Sequence, residues 1–322
     1  MGKLLEVKGL RTNFYTYRGV VKALNGVDFT IHDNEVVGLV GETGSGKSVT
    51  AKSIMRLIDS PGKIMEGEVL FNGVDLLKLN EAEMRRIRGN EITMIFQDPV
   101  IALNPVLNIE IQMVEAIETN LGYDRKEAKA EALDLLRRVG LPDLESLLKR
   151  YPHELSGGMA QRVFIAMSIA ARPKLLIADE PTSSLDVTIQ SQILGLLRHL
   201  MEIDSINAVL FITHDLGVAA ELCDKIAVMY GGRIMEFGKK EEIFEDPRHP
   251  YTRGLLKAVP KPGFYGELFT IPGEVPDLVT PPPGCVFHPR CLERLSVCDK
   301  EEPETKEVSE THFVSCHLME DD

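Results

Sequence analysis

The segment 41–48, with the sequence GETGSGKS, contains the residues with the clearest chemical meaning. It follows the apolar run 36–40 and precedes residues 49–57, whose apolar side chains recur at helical spacing. This is the strand–loop–helix context of a phosphate-binding loop. A Gly-rich turn that matches the pattern by chance is the alternative, and the flanking patterns disfavour it. We call residues 41–48 the phosphate loop.

The phosphate loop predicts a nucleoside triphosphate site. Its glycines let several backbone N–H groups converge on one anion, and the start of the following helix adds the positive end of a dipole. We expect the Lys47 ammonium to reach the β- and γ-phosphates and the Ser48 hydroxyl to ligate Mg²⁺. The residues predicted to line the site are Gly41, Gly44, Ser45, Gly46, Lys47, Ser48 and Val49.

Two carboxylates end the predicted strand 174–180, in which residues 175–178 are apolar. We expect Asp179 to hold Mg²⁺, directly or through water, and Glu180 to orient and deprotonate an attacking water. A carboxylate pair at a strand end can instead cap the next helix. The phosphate loop upstream favours the catalytic interpretation.

Two further polar residues follow apolar strands. Gln97 could ligate Mg²⁺ or hold a water, and a neutral imidazole at His214 could hydrogen-bond a γ-phosphate oxygen and position the water. Taken alone, a loop glutamine is usually solvated and a strand-end histidine is usually structural. Their assignment therefore depends on the other motifs.

Residues 155–161, with the sequence LSGGMAQ, form a second glycine-rich helix start, which we call the signature segment. Ser156 can cap the helix, which is predicted to run to about residue 171. Gly157 and Gly158 leave its first N–H groups bare, as a phosphate-binding helix end requires. A plain N-cap with a flexible turn is the alternative.

An aromatic cluster occupies residues 14–17. One of its rings could stack on an adenine base, and ordinary packing in a β-sheet is the alternative. We select Tyr17 for this role, with Tyr15 as the second choice.

Four of the five cysteines crowd into the last 40 residues with the spacing C-x5-C-x6-C-x17-C. In a reducing compartment such a cluster indicates a metal or iron–sulfur site more readily than disulfides. The spacing is neither the C-x2-C of zinc ribbons nor the ferredoxin run. A [4Fe–4S] cluster suits it, with zinc as the alternative and free or disulfide-linked thiols after that. The predicted ligands are Cys285, Cys291, Cys298 and Cys316.

The composition is that of a globular protein. The chain has 322 residues, 44% hydrophobic and 26% charged, and a net charge of −13, which argues against a nucleic-acid-binding surface. No apolar run approaches the roughly 18 residues needed to cross a bilayer, and Glu6 comes too early for a signal peptide. We expect a cytosolic protein that reaches a membrane only through a partner.

Alternating strand and helix patterns predict an α/β fold. Residues 1–240 are expected to form the nucleotide-binding domain, with a helical subdomain at about 100–170, and residues 241–322 an irregular extension with a Pro-rich arm. The predicted helices are 81–88, 108–121, 125–139 and 187–203. The predicted strands are 3–10, 20–31, 68–74 as a hairpin, 92–96, 174–180, 208–213 and 224–238 as two strands.

The order of these motifs is more specific than any one of them. The phosphate loop, Gln97, the signature segment, the Asp–Glu strand end, the Ser-Leu-Asp at 184–186 and His214 together resemble an ATP-binding cassette of the ABC family over about residues 3–240. The resemblance implies a P-loop ABC-type ATPase core with an antiparallel β subdomain and a helical signature subdomain. It also implies a head-to-tail dimer in which Ser156 and Gly158 of one cassette complete the ATP site of the other.

Further motifs resemble one subfamily, the ATP-binding subunits of dipeptide, oligopeptide and nickel importers. They lie at 96–99, 103–105, 151–156, 248–252 and 284–291. The resemblance implies an ATP-hydrolysing, energy-coupling subunit at the cytoplasmic face of the cell membrane, and it also favours the [4Fe–4S] cluster. The implied partners are a second, paralogous ABC ATPase subunit, two transmembrane permease subunits and, indirectly, an extracytoplasmic solute-binding protein.

Some alternatives stay open at this point. Nickel or another small solute could replace peptides as cargo, because the ATPase subunits of these importers are nearly identical. A soluble ABC ATPase of DNA repair or translation is disfavoured by the single cassette and the acidic balance. A third alternative is an iron–sulfur redox module with an accessory ATPase. One departure from the subfamily is Ala160, which stands where arginine is usual. It leaves the phosphate-facing residues intact, so we expect it to adjust the activity rather than abolish it.

Overall fold

The computed structural model of the chain describes residues 2–183, 185–203, 206–259 and 269–319. Ser184 of the Ser-Leu-Asp motif and residues 260–268 of the Pro-rich arm therefore lie outside the described residues. Backbone contacts divide the chain into two compact units. The first unit is Met1–Lys78 with Phe211–Asp322, and the second is Leu79–Leu210.

The described strands, in chain order, are β1 (Lys3–Thr16), β2 (Gly19–His32), β3 (Glu35–Val40), β4 (Gly62–Phe71), β5 (Val74–Asp75), β6 (Ile92–Ile95), β7 (Leu175–Asp179), β8 (Ala208–Thr213), β9 (Lys225–Tyr230), β10 (Arg233–Lys239), β11 (Thr305–Ser309) and β12 (His312–Ser315). The described α-helices are α1 (Lys47–Ile54), α2 (Glu81–Ile87), α3 (Pro99–Ala102), α4 (Ile109–Leu121), α5 (Arg125–Arg138), α6 (Leu144–Lys149), α7 (Gly157–Ile169), α8 (Val187–Ile203), α9 (Leu216–Leu222), α10 (Lys240–Glu245) and α11 (Pro250–Ala258). None of the described helices combines the length and apolar character that crossing a membrane requires.

In the first unit, β1 forms an antiparallel sheet with the order β2-β1-β4-β5. Its Val7 pairs with Phe29 on one side and Val69 on the other, and these side chains are buried. β1 is longer than predicted, because register shifts after Val7 let the ladder continue to Thr16. The predicted hairpin at 68–74 is confirmed, with Asn72 and Gly73 at φ 49° and 79° in its turn.

The first unit also contains the strand order β11-β12-β10-β9-β3. β3 is parallel to β9, with Leu39 opposite Ala227. After their first residues, Glu35 and Lys225, both strands carry almost only apolar residues, because both of their faces are buried. β12 adds to β10, with Val314 opposite Glu236. The extension is thus less irregular than expected, since it supplies α10, α11 and a strand pair. The predicted division at residue 240 stays a prediction.

In the second unit, β6 and β7 pair in parallel, with Met94 opposite Ile177. Helices α4 to α7 pack together, and the predicted helices at 108–121 and 125–139 are confirmed. α5 begins at a capping box in which Asp124 accepts from the N–H of Glu127. Its apolar face is fully buried, namely Ala128, Ala132, Leu135 and Leu136. The period of 3.6 therefore defines the core side of this helix.

Candidate nucleotide-binding site

The phosphate loop connects β3 to α1 and needs glycine at particular places. Gly41 and Gly46 have φ of 151° and 110°. A Cβ at Gly41 would lie 2.1 Å from the carbonyl oxygen of Met229, and one at Gly46 would lie 2.9 Å from that of Ala23. Any side chain at these two positions would displace the loop from β9 or β2.

Lys47 is folded over the phosphate loop. Its side chain is buried, and its ammonium donates to the carbonyl oxygens of Gly41 at 2.8 Å and Glu42 at 3.1 Å. α1 starts at Gly46, which provides no side-chain cap, and its first turn carries no acidic residue. The positive dipole end of α1 is therefore not neutralised by a cap or an acidic side chain in its first turn, and this favours an anion there.

Ser45 and Ser48 lie beside Lys47. The Ser45 side chain is buried, and among the described residues no group accepts from or donates to its hydroxyl. A buried hydroxyl without a partner is costly, so a bound oxygen anion would satisfy it. Ser48 occupies the first turn of α1, as predicted.

Glu42 forms an ion pair that the sequence did not reveal. Its carboxylate oxygens lie 2.7 Å and 3.1 Å from the two terminal nitrogens of Arg290, which is 248 residues away in the chain. The hydrogen bonds to Glu42, together with that to Tyr230, raise the pKa of the Arg290 guanidinium above its ordinary value. Arg290 belongs to the motif 284–291, one of the segments that resemble the importer subfamily.

In the second unit, Asp179 ends β7 and is buried. The next residue, Glu180, has a φ of 45°, a conformation that is uncommon for a residue with a side chain. The carbonyl oxygen of Glu180 accepts from the N–H and the hydroxyl of Ser183, at 3.2 Å and 3.1 Å. A tight turn thus holds the predicted base in a strained backbone conformation, as is common at functional sites.

Gln97 and His214 both follow strands, as predicted. Gln97 lies after β6 in the second unit, and its side chain is exposed. His214 directly follows β8 and is also exposed. The next residue, Asp215, accepts from the N–H of Gly217 at 2.8 Å and caps α9, so the position of His214 is defined by a strand end and a helix start.

The signature segment starts α7 in the second unit. The Ser156 hydroxyl caps the helix by accepting from the N–H of Met159 at 3.4 Å. A Cβ at Gly158 would lie 2.9 Å from the side chain of Ile189, so α7 and α8 approach closely there. A cavity of about 540 Å³ adjoins this helix start, and Arg162 and Asp186 contribute charges to its lining. The cavity leaves room for a phosphate-sized group beside this helix start.

The two tyrosines selected for adenine lie at the end of the β1–β2 hairpin. Tyr17 is 98% exposed in the turn, whereas Tyr15 packs against Met65, with its hydroxyl 3.5 Å from the sulfur. The Lys63 ammonium lies 5.7 Å from the centre of the Tyr15 ring. Tyr17 is thus the ring with a free face, and its role stays a prediction.

The four clustered cysteines are free thiols in one part of the first unit. The N–H of Cys285 donates to the carbonyl oxygen of Cys298 at 2.8 Å. Burial, with a contribution from the other thiols, raises the pKa of Cys316 to about 12 and that of Cys285 to about 11. Within the described part of the chain, no group of three or more His, Cys, Asp or Glu side chains is arranged to hold a metal ion.

Comparison with known proteins agrees with this site. Residues 24–183 match the ABC transporter family, and residues 235–298 match the C-terminal region of oligopeptide/dipeptide transporters. The chain is 47% identical to the dipeptide transport ATP-binding protein DppD of Bacillus subtilis, over 99% of this chain and 96% of that protein. It is 49% identical to the oligopeptide transport ATP-binding protein OppD of the same organism, over 99% of this chain and 90% of that protein.

Solved structures agree on the fold. The ATP-binding cassette MJ0796, in a dimeric post-hydrolysis state bound to ADP and Pi, superposes with a TM-score of 0.65 at 29% identity, covering 73% of this chain and 98% of that chain. CbiO1 of Clostridium perfringens, part of the ABC transporter complex cbiONQ, gives 0.63 at 29% identity, covering 76% and 92%. The phosphate loop, the signature segment and these matches together identify the chain as a member of the ABC transporter family of ATPases.

Proposed function

We propose that the chain is the ATP-hydrolysing subunit of an importer of dipeptides or oligopeptides. The observation that carries this proposal is the phosphate loop, with Lys47 buried over it, in a chain that is 47–49% identical over nearly its whole length to dipeptide and oligopeptide transport ATP-binding proteins. The match of residues 235–298 to the C-terminal region of such transporters supports the peptide cargo.

ATP would bind at the phosphate loop. Backbone N–H groups of residues 41–49 and the Lys47 ammonium would hold the phosphates, and Tyr17 would stack on the adenine. Mg²⁺ would neutralise charge on the phosphates, held by Ser48, Asp179 and Gln97. The unpartnered Ser45 hydroxyl supports an anion at this loop, as does the start of α1, which has no side-chain cap and no acidic residue in its first turn.

Hydrolysis would follow in-line attack of water on the γ-phosphorus. Glu180 would take a proton from the water as the new P–O bond forms, while the bond from the γ-phosphorus to the β–γ bridging oxygen breaks and ADP leaves. His214 would donate a hydrogen bond to a γ-phosphate oxygen and so fix the geometry of attack. The strained turn at Glu180 supports a positioned carboxylate rather than a solvated one.

A second cassette would complete the site. Ser156 and Gly158 at the start of α7 would contact the γ-phosphate bound by the partner, and the cavity beside them supports this use. We propose a paralogous ATPase subunit as the partner, with two transmembrane permease subunits and, indirectly, an extracytoplasmic solute-binding protein. The assembly would place this chain at the cytoplasmic face of the membrane.

The four clustered cysteines would hold a [4Fe–4S] cluster, with zinc as the alternative. Their free thiols, which raise one another's pKa, support a shared ligand. Binding would have to bring the four sulfur atoms closer together than in the arrangement described above. A cluster bound there would cross-link the extension, because its ligands lie on either side of β11 and β12. Protein purified without oxygen should be brown and contain iron, and Cys223→Ser should not change this. A colourless preparation with stoichiometric zinc would contradict the iron–sulfur proposal.

Reconstitution of the assembled complex tests the transport function. The chain is co-purified with its membrane partners, placed in vesicles, and supplied with ATP and a labelled oligopeptide-loaded binding protein. We expect peptide uptake that requires ATP and hydrolysis that rises when the loaded binding protein is added. A rate of ATP hydrolysis that does not change with the peptide-loaded binding protein but rises with a nickel-loaded one would refute the peptide cargo.

A further inference from the structure

The Glu42–Arg290 ion pair joins the phosphate loop to the segment that carries the clustered cysteines. The pair is bidentate, with distances of 2.7 Å and 3.1 Å between its nitrogens and oxygens. The Arg290 side chain is only 5% exposed and that of Glu42 26%. A two-pronged pair of this kind fixes orientation as well as charge, because both partners are planar.

Every nitrogen of the Arg290 guanidinium has an acceptor. Besides Glu42, it donates to the carbonyl oxygens of Pro272 at 2.9 Å and Ile271 at 3.3 Å, and to the Tyr230 hydroxyl at 3.3 Å. The guanidinium also lies 5.7 Å from the centre of the Tyr230 ring. Arg290 is therefore held in a single conformation, and it presents two N–H groups to the phosphate loop.

On the loop side, Glu42 is held at its backbone as well. Its N–H donates to the hydroxyl of the fully buried Tyr251 at 3.0 Å, and its carbonyl oxygen accepts from the Lys47 ammonium at 3.1 Å. Glu42 is thus directly connected to the lysine expected to bind the phosphates. A shift of Glu42 would move the Lys47 ammonium with it.

The cysteine segment, defined here as residues 284–300, sets the position of Arg290. A 3₁₀ turn at His288–Arg290 places it directly before Cys291, and the N–H of Arg290 donates to the carbonyl oxygen of Phe287 at 3.0 Å. Phe287 packs against the Tyr251 ring at 5.3 Å. The Cys285–Cys298 backbone hydrogen bond closes the segment. Ordering the segment therefore orders Arg290.

Electrostatics gives this contact a function. A carboxylate on a loop that binds a triphosphate would repel the phosphates if it turned toward them, and this repulsion grows as water is excluded. Arg290 neutralises the Glu42 carboxylate and holds it on the side of the extension. Without Arg290, Glu42 would be a partly buried charge with no partner, and the loop would have to change conformation to solvate it.

We propose that Arg290 is a positioning residue of the nucleotide site, and that its ion pair with Glu42 couples the ordering of the cysteine segment to nucleotide binding at the phosphate loop. The proposal rests on the function proposed above, in which this loop binds ATP. Coupling of this kind is reciprocal: a cysteine segment that is ordered favours ATP, and ATP orders the cysteine segment.

Equilibrium binding of a fluorescent ATP analogue with Mg²⁺ to the full-length chain tests whether the ion pair favours nucleotide binding. We expect Arg290→Met to raise the Kd about tenfold, and Arg290→Lys to raise it less, because lysine keeps the charge but not the two-pronged geometry. Arg294→Met is the matched control, since Arg294 lies in the same segment but pairs with Asp299. The double variant Glu42→Gln with Arg290→Met should recover most of the affinity, because no charge is then left without its partner.

Hydrogen–deuterium exchange of the same proteins tests whether nucleotide orders the cysteine segment. This measurement does not depend on hydrolysis. A non-hydrolysable ATP analogue should slow exchange in peptides covering the cysteine segment of the native chain and of Arg294→Met. In Arg290→Met it should slow exchange only at the phosphate loop.

The outcomes separate this inference from the proposed function. A native chain that binds no nucleotide would refute the proposed function. Two outcomes would overturn the coupling alone. One is a Kd for nucleotide in Arg290→Met within twofold of the native value. The other is nucleotide protection of the cysteine segment that persists in Arg290→Met. A double variant as weak as Arg290→Met would show that Arg290 only stabilises the extension, and this would also overturn the proposal.

Discussion

His249 accepts a hydrogen bond on its Nδ1 atom from the N–H of Tyr251, at 3.0 Å, and both side chains, which belong to the extension, are almost completely buried. The imidazole thereby caps α11, whose first residue is Pro250. Because the Tyr251 hydroxyl in turn accepts from the N–H of Glu42, the capped helix start is connected to the phosphate loop. The protonation state of His249 therefore bears on the stability of the first unit.

The first prediction concerns acid stability. Burial lowers the pKa of His249 to about 4, with a smaller opposing effect from the Glu236 carboxylate and a further lowering by Arg253. The unfolded chain would protonate this residue below its ordinary value of 6.5. Between those values the unfolded state binds more protons, so the free energy of unfolding falls as the pH drops from 6.5 to 4. The loss is about 3 kcal/mol at most.

His249→Asn tests this prediction, because asparagine keeps a capping oxygen but does not titrate. Denaturant unfolding followed by circular dichroism should show a shallower decline from pH 6.5 to 4 in the variant than in the native chain. His153→Asn, at an exposed histidine, is the matched control for the substitution itself. Glu236 affects acid stability separately. Burial alone would raise its pKa, but the hydrogen bonds that it accepts, with that from His312 the largest, outweigh burial and lower the pKa. The stability that this carboxylate contributes is therefore lost only below about pH 4.5. Equal slopes in native protein and His249→Asn would contradict the assignment.

The second prediction contrasts two glycines of the phosphate loop. Gly41→Ala would drive a methyl group to 2.1 Å from the Met229 carbonyl oxygen, so the loop must leave β9 and nucleotide binding should be lost. A methyl group at Gly44 would meet no atom within 4 Å. Gly44→Ala therefore lowers the free energy of unfolding only through the backbone strain at its φ of 82°, by about 1–2 kcal/mol. Thermal unfolding and nucleotide binding of the two variants should therefore differ sharply. Similar losses in both would show that backbone contact with Met229 does not shape the loop.

Much of this local structure could be predicted from the sequence, because it depends on near neighbours. The turns at 72–73 and 231–232 need residues that tolerate positive φ, and helices such as α5 have apolar side chains at a period of 3.6. The strand–loop–helix order of the phosphate loop is likewise a local pattern. These elements were predicted within a few residues of their bounds.

What the sequence did not reveal depends on distant pairs. The contact of Glu42 with Arg290 spans 248 residues, and neither residue stands out in its own neighbourhood. The pairing of β12 with β10 joins two short stretches, with Phe313 opposite Phe237, and Pro and Gly between them favoured an irregular extension. β1 continues past residue 10, where the predicted strand ends, because register shifts on either side of Leu10 let its pairing with β2 go on to Thr16.

The third prediction concerns the proposed base. Glu180→Gln keeps the size and hydrogen-bonding capacity of the side chain but cannot take a proton, so hydrolysis in the assembled complex should fall by about 10²–10⁴-fold. Nucleotide affinity should stay close to native, and ATP-bound dimers should accumulate in size-exclusion chromatography. Glu145→Gln, at an exposed carboxylate of the same unit, is the control. Hydrolysis at the native rate in Glu180→Gln would refute the role of this residue.

The fourth prediction concerns the signature segment. A methyl group at Gly158 would lie 2.9 Å from the Ile189 side chain, and both residues line the cavity at the start of α7 where we place the partner's γ-phosphate. Gly158→Ala should therefore leave nucleotide binding by the isolated chain unchanged but suppress ATP-dependent dimerisation and hydrolysis. Because the new methyl group faces the Cγ2 atom of Ile189 rather than backbone, adding Ile189→Ala removes that atom, relieves the crowding and separates the two effects. If dimerisation recovers in the double variant, packing of α7 against α8 is the cause; if it does not, the methyl group blocks the half-site itself.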